Sequence, residues 1–179
     1  MMQNFKEVLN IPSSDEILSS LNLSYDGQTE EANPAATFGF SVPLVTDECP
    51  GQLQYFPLSK NSHIGLNENL DEEAFIEKMS NKKFCVIICN SFDIIGGDDI
   101  KTASFSNENG QLSFIAGVWD ATEDPLMAAT LYSCTFLTIE YDRSSAKRVP
   151  YFLKRDQIAS WIGTQLTLEQ RIELINTMS

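Results

Sequence analysis

Side chains able to do covalent or metal chemistry are few in this 179-residue chain. It holds one histidine, His63, and four cysteines, Cys49, Cys85, Cys89 and Cys134. A Ser-His-Asp triad or a histidine-based zinc centre would have to rest on that one imidazole. No metal and no other cofactor is therefore expected, and His63, in the polar run SKNSHIGLN, reads as an exposed loop residue. The cysteines form no CxxC pair and lie in apolar or turn contexts, which reads as buried thiols rather than bridges. No GxGxxG or GxxxxGK loop is present to cradle a phosphate. One feature remains. Five cations, Arg143, Lys147, Arg148, Lys154 and Arg155, crowd one short stretch and could meet a phosphate backbone or balance nearby acids.

The elements that must hold these groups follow from periodicity. Residues 3–10 suggest a short helix before Pro12. Ser13 with Glu16 makes a capping box, and Ile17, Leu18 and Leu21 then form one apolar face. Residues 24–37 are polar and read as a long loop. GFSVPLVT (39–46) and QLQYFPL (52–58) read as paired strands around the turn DECPG, with Pro43 and Pro57 tolerated only near edges or bulges. Residues 71–80 suggest a helix with acids in its first turn. FCVIIC suits a strand buried on both faces. TASFS (102–106), NENG and QLSFIAGVW (111–119) predict a hairpin. LYSCTFLTIEY (131–141) and RVPYFL (148–153) read as strands, followed by a helix at 155–161. Thr167 and Gln170 cap a last helix through Ile175, and Trp119 and Trp161 read as core aromatics. Strands in the middle and helices at the ends predict an α+β fold, one domain over residues 1–179 with a largely antiparallel, barrel-like core.

Charge narrows the partners. The formal net charge is −13, with net −10 over residues 1–79, −5 over 80–141 and +2 over 142–179. The global field opposes a nucleic acid, and the basic stretch alone favours one. No apolar run reaches the ~18 residues of a membrane helix. The start MMQNFKEVLN lacks the layout of a signal peptide. A cytoplasmic address without membrane contact is the expectation.

Four segments, in order and in register, resemble one family. VPLVTDECPGQLQYF (42–56) is similar to its "PVITxxxPxxIQxFxWG" passage, and FSNENGQLSFIAGVWD (105–120) to its hairpin ending in "FAGIWE/D". CTFLTIEYD (134–142) resembles "TILTTEAN", and KRVPYFLKRDQIASWI (147–162) resembles "xRMPVILxxxxxxxWL". The family is SRAP, the SOS response-associated peptidases, and the likeness spans residues 40–162. It implies single-stranded DNA binding and attack on abasic sites by a cysteine at position 2, whose amine and thiolate close a ring with the sugar aldehyde. An Asn, a Glu and a His would complete such a site.

The resemblance departs where that chemistry sits. Position 2 is Met2, and no histidine lies just ahead of RVP (148–150), where the family carries its His. The family's Glu falls on Asp93, its "LNARxET" motif on LNENLDE (66–72) with Asn67 matching, and its Arg of "RMP" on Arg148. Asp93 and Asn67 are thus expected as vestigial catalytic positions, and Arg148, Lys147, Lys154, Arg155 and Arg143 as DNA contacts. Three readings stay open: a degenerate, non-enzymatic member that binds single-stranded DNA weakly or a protein; a surviving hydrolase, peptidase or abasic-site enzyme using Asp93 with another nucleophile; and an acidic module for a basic protein partner, or a mimic of DNA charge.

Overall fold

The fold was obtained as a computed structural model that describes residues 5–25, 33–59, 64–66, 77, 79, 81–97, 99–107, 111–142, 147–163 and 166–176. Its centre is the apolar run foreseen as a doubly buried strand, β6 (Lys83–Cys89), preceded in the chain by β1 (Lys6–Asn10), β2 (Ala35–Ala36), β3 (Ser41–Thr46), β4 (Gln54–Pro57) and β5 (Ile64–Leu66). On β6, Phe84, Val86 and Ile88 point into one apolar cluster, and Cys85, Ile87 and Cys89 into another. Its neighbour β9 (Ser113–Asp124) repeats the alternation, with Phe114, Ala116 and Val118 on the first side and Ile115 and Trp119 on the second. A period of two with both faces apolar requires a cover on each side.

Helices cover the first side. Ile17 comes from α1 (Ser14–Ser20), and Trp161 and Ile162 come from α2 (Ile158–Ile162), which follows a 3-10 turn at Arg155–Gln157. The Trp161 indole N–H donates to the carbonyls of Cys85 and Gly117, at 2.9 and 3.2 Å, and its ring meets Phe84 edge-on. The second side is covered by a four-stranded sheet in the order β2-β1-β7-β8, where β7 is Ser91–Ile95 and β8 is Lys101–Phe105. Leu9, Phe92 and Ile94 carry its contribution to the core. The result is an α+β arrangement of helices, a large curled sheet and a small sheet.

The large sheet has eight strands and runs β11-β10-β9-β6-β3-β4 along its main path, with β10 at Ala129–Asp142, β11 at Lys147–Pro150 and β12 at Phe152–Leu153. Leu58, just past β4, bridges back to Cys134 on β10, so the sheet curls toward itself. Pro57 ends β4 at the sheet edge. Pro43 pairs with Tyr55 but lies one residue outside the β6 ladder, which starts at Leu44↔Ile87. Both prolines therefore sit where a missing N–H costs no ladder bond.

Three expected elements take another form. Residues 6–10 are a strand, because Val8-Leu9 find antiparallel partners on β7 from Lys6↔Ile95 to Asn10↔Ser91; a short apolar run cannot choose its period without that partner. TASFS does not pair with QLSFIAGVW. β8 pairs with β7 across the Gly96–Ile100 turn, while β9 lies in the other sheet beside β6 and β10. RVPYFL is two strands, since β9 and β10 part after Phe136↔Gly117 and the segment wedges between them. There the Tyr151 N–H donates to Leu137 and its carbonyl accepts from Ala116. The helix expected over 71–80 falls mostly outside the described residues, although Glu77 and Met79 are helical.

The capping boxes hold in part. Ser13 accepts from the Glu16 N–H, and Thr167 and Gln170 exchange bonds of 3.3 and 2.9 Å at the start of α3 (Leu168–Asn176). On α3, Arg171 is 5% exposed and donates to the carbonyls of Trp161, Leu166 and Gly163 past the end of α2, with its guanidinium 4.0 Å from the centre of the Phe84 ring. Arg171→Met keeps the length of the side chain but leaves those buried acceptors without a donor. It is expected to cost about 3 kcal/mol, read as a lower midpoint in urea unfolding, whereas a change under ~0.5 kcal/mol would mark Arg171 as an ordinary surface residue.

Candidate functional site

Asp93 lies in the middle of β7. Phe92 and Ile94 turn into the core, so strand alternation sends Asp93 to the outer face of the small sheet. Register brings its neighbours there. Ser104 on β8 lies directly across from it, Val8 on β1 lies on its other side, and Asn10 is two residues along from Val8. A bulge between Ile94 and Ile95 shifts Lys101 toward the same carboxylate.

The carboxylate is saturated. Its Oδ2 accepts from Asn10 Nδ2 at 2.7 Å and pairs with Lys101 Nζ at 2.7 Å, and its Oδ1 accepts from Ser104 Oγ at 2.6 Å. The side chain is 5% exposed, against 56% for that of Lys101. Burial pushes the Asp93 pKa up, but the bonds from Lys101, Ser104 and Asn10 together outweigh it and hold the group below its ordinary value. A general acid near neutral pH needs the opposite shift, which the surroundings of Asp93 do not produce. Asn10, Lys101 and Ser104 were not singled out in the sequence, because only the β1-β7-β8 register reveals that they converge.

The thiols are set apart from this chemistry. Cys85, Cys89 and Cys134 are fully buried, and burial raises each thiol above its usual range, with Asp93 adding to the effect at Cys89. A thiol held protonated is a poor nucleophile. Cys49 is half-buried in the turn after β3, where its N–H donates to Thr46 Oγ1. All four are free, and among the described residues no cluster of His, Cys, Asp and Glu could hold a metal ion.

The expected DNA contacts divide among elements. Arg148 on β11 is half-buried and donates through Nε and Nη2 to the hydroxyl and carbonyl of Thr138, both at 2.8 Å. Arg155 opens the 3-10 turn, is exposed, and donates from Nη2 to the Ser20 carbonyl at the end of α1. Lys154 beside it is exposed. Lys147 begins β11, but its side chain, with Met2, His63, Asn67 and Arg143, lies outside the described residues. Asp93 does not line the groove of ≈ 490 Å³ that opens beside Arg155 and α2.

A family model described as SOS response associated peptidase (SRAP) matches residues 5–179. The chain belongs to the SRAP family. Solved structures agree on the fold. A protein from Bacteroides thetaiotaomicron superposes with a TM-score of 0.71 at 12% identity, covering 94% of this chain and 85% of its own. A protein from Bordetella bronchiseptica gives 0.66 at 12% identity, covering 92% and 96%. No curated protein matches this SRAP chain. Among the described residues, no helix is long and apolar enough to cross a membrane.

The Asp93 cluster makes a pH prediction. A depressed carboxylate pKa adds stability that is present above the unfolded value, near 3.8, and is lost as pH falls through the lower folded value. Asp93→Asn should therefore lose about 2 kcal/mol at pH 7. The gap to the unsubstituted protein should close below pH 4 in thermal unfolding scans. A gap that stays constant down to pH 2 would mean the charge of Asp93 is not what Lys101 and Ser104 hold.

Proposed function

We propose that this SRAP-family protein is a non-enzymatic member, a pseudoenzyme that binds single-stranded DNA weakly in the cytoplasm. What carries the reading is the saturated Asp93: at the position resembling the family's Glu, the carboxylate accepts from Asn10, Ser104 and Lys101 and is held ionised rather than poised to move a proton. The raised thiols of Cys85, Cys89 and Cys134 do not favour a substitute nucleophile. Asn67 would then have no catalytic task.

DNA affinity in this reading comes from cations alone. Lys154 and Arg155 are exposed at the start of the 3-10 turn and would carry most of it, with Arg148, Lys147 and Arg143 as further phosphate contacts. A net charge of −13 keeps the binding weak and steeply dependent on salt. The same charge favours a second reading, in which the partner is a basic protein that meets the acidic body.

Fluorescence anisotropy with two short single-stranded oligonucleotides, one carrying an abasic site, tests both. At low salt the two should bind with equal affinity, and a denaturing gel should show no shifted band. Replacing both Lys154 and Arg155 by alanine should weaken binding of both and flatten log K against log salt by about 1.4. A band that survives denaturation would overturn the non-enzymatic reading. No binding at low salt would leave the basic protein partner.

A further inference from the structure

The outer end of the β9-β10 hairpin runs on past its neighbouring strands. The β6 ladder stops at Lys83↔Trp119, and the bridge from Leu58 meets β10 at Cys134, so the pairs from Asp120↔Ser133 to Asp124↔Ala129 form a two-stranded ribbon, rooted where Tyr132 stacks on Phe56 and Asp120 pairs with Lys82. Five such pairs project about 17 Å. Among the described residues, four of the seven large hydrophobics exposed to solvent lie on it: Leu126 at 95%, Met127 at 72%, Leu131 and Tyr132. Its tip is ordered. Pro125 fixes one φ, and Asp124 Oδ1 accepts from the N–H groups of Leu126 and Met127 at 2.9 and 3.3 Å. Ala128 completes the turn at a φ of 49°, a conformation that L side chains rarely adopt. Two apolar side chains are thus held out on a shaped turn, and two acids precede it in the chain, Asp124, which caps the turn, and Glu123, whose Oε1 accepts from Thr130 Oγ1 at 3.0 Å.

The molecule also carries the complementary shape. The groove of ≈ 490 Å³ has an apolar wall formed by Pro50, Ile158, Ala159 and Ile162, and Arg155 stands at its rim next to the exposed Lys154. Arg155 gives one nitrogen to Ser20, and a guanidinium has five N–H donors to share. The one acid in the wall, Asp47, has both oxygens engaged, by the Trp119 indole N–H at 2.9 Å and the Phe84 N–H at 3.2 Å. The groove therefore offers an apolar floor and a cationic edge at Arg155 and Lys154, with the hydrogen-bonded but still anionic Asp47 in its wall.

We propose that the ribbon tip of one copy, Leu126-Met127, seats in the α2 groove of a second copy, with Glu123 and Asp124 facing Arg155 and Lys154. Charge chooses the occupant. The acidic stem disfavours an anionic membrane or a nucleic acid at the tip, and the rim of the groove supplies the opposite sign. The interface is head-to-tail, because tip and groove are different surfaces, so each copy that binds through its tip still offers a groove and chains grow open-ended unless they close into a ring. A contact built on two side chains falls short of the ~1,200 Å² of stable complexes, which places the dissociation constant near 0.1–1 mM. The inference does not depend on DNA binding.

Sedimentation of the pure protein tests it at physiological salt, where repulsion between acidic bodies is screened. The mass should rise above the 20.0 kDa of one chain as concentration approaches about 1 mM. A tip variant with Leu126→Asp and Met127→Asp should stay monomeric, as should a groove variant with Ala159→Glu; both changes fall on exposed residues. Mixing the two should restore a dimer and nothing larger, since one supplies an intact groove and the other an intact tip. Wild-type protein that remains monomeric at 1 mM, a tip variant that still associates, or a mixture that stays monomeric would each overturn the proposal.

Discussion

Where β6 lies against β9, from Phe84 to Cys89 and from Phe114 to Trp119, neither strand has a polar side, and the rest of the architecture follows from covering them. Every residue from Phe84 to Cys89 is at most 8% exposed. Alternation divides these side chains between two separate apolar clusters, one roofed by helices and one by the small sheet. Neither cover has enough apolar surface to stand alone, since the small sheet is four short strands and α2 has only five residues. The shared sheet makes the layers interdependent. Gly117, in the middle of β9, marks how close the packing is: a Cβ there would lie 3.0 Å from Cys85 Sγ and from the Thr135 carbonyl.

The position of Asp93 is a consequence of that arrangement. A sheet that gives one face to the core keeps the other for polar residues, and the central strand of a small sheet draws neighbours from both sides. Asn10 and Ser104 reach the carboxylate from the two flanking strands, and the bulge brings Lys101. The same geometry that could hold a proton-transfer group in place can also neutralise it, and what decides is the chemistry of the neighbours. Here all three are donors, so the environment favours a fixed anion. A scaffold can keep its core and change the chemistry of its site through a few outward-facing positions, which is why family membership alone does not establish an activity.

How much of this was legible in the sequence depends on whether a feature is local. Capping by Ser13 and by Thr167 with Gln170, the buried β6, the long β10 and the burial of both tryptophans all follow from residues within a few positions of one another. The errors concern partners. Residues 6–10 take a strand period only from the ladder with β7, and β8 pairs with the strand before it, across Gly96-Gly97, not with the strand after it that TASFS and QLSFIAGVW suggest. Pro150 hinted at a break in RVPYFL, yet the wedge between β9 and β10 depends on where those two strands diverge. Asp93 was legible as a candidate, but Asn10, Lys101 and Ser104 were not, since a non-local register leaves no trace in a single sequence.

Cations in so acidic a chain serve the fold before they serve a ligand, and this changes what the basic stretch can mean. Arg171 donates to three backbone carbonyls, Arg148 clamps Thr138, and Arg155 ties the 3-10 turn to α1. Lys82 and Lys83 pair with Asp120 and Glu48. A guanidinium that satisfies backbone carbonyls removes an unpaired-acceptor cost and stiffens the junction it spans, and a phosphate competing for it must displace those bonds. Counting Lys and Arg along residues 143–155 therefore overstates the charge free to release counterions. Arg148, internal and half-buried, acts first as a brace between β11 and β10, whereas Lys154 and the unspent donors of Arg155 stand in the open beside the groove. An anion that reaches the groove, whether a phosphate or a carboxylate from another copy, meets Lys154 and Arg155 at that junction of sheet and helix.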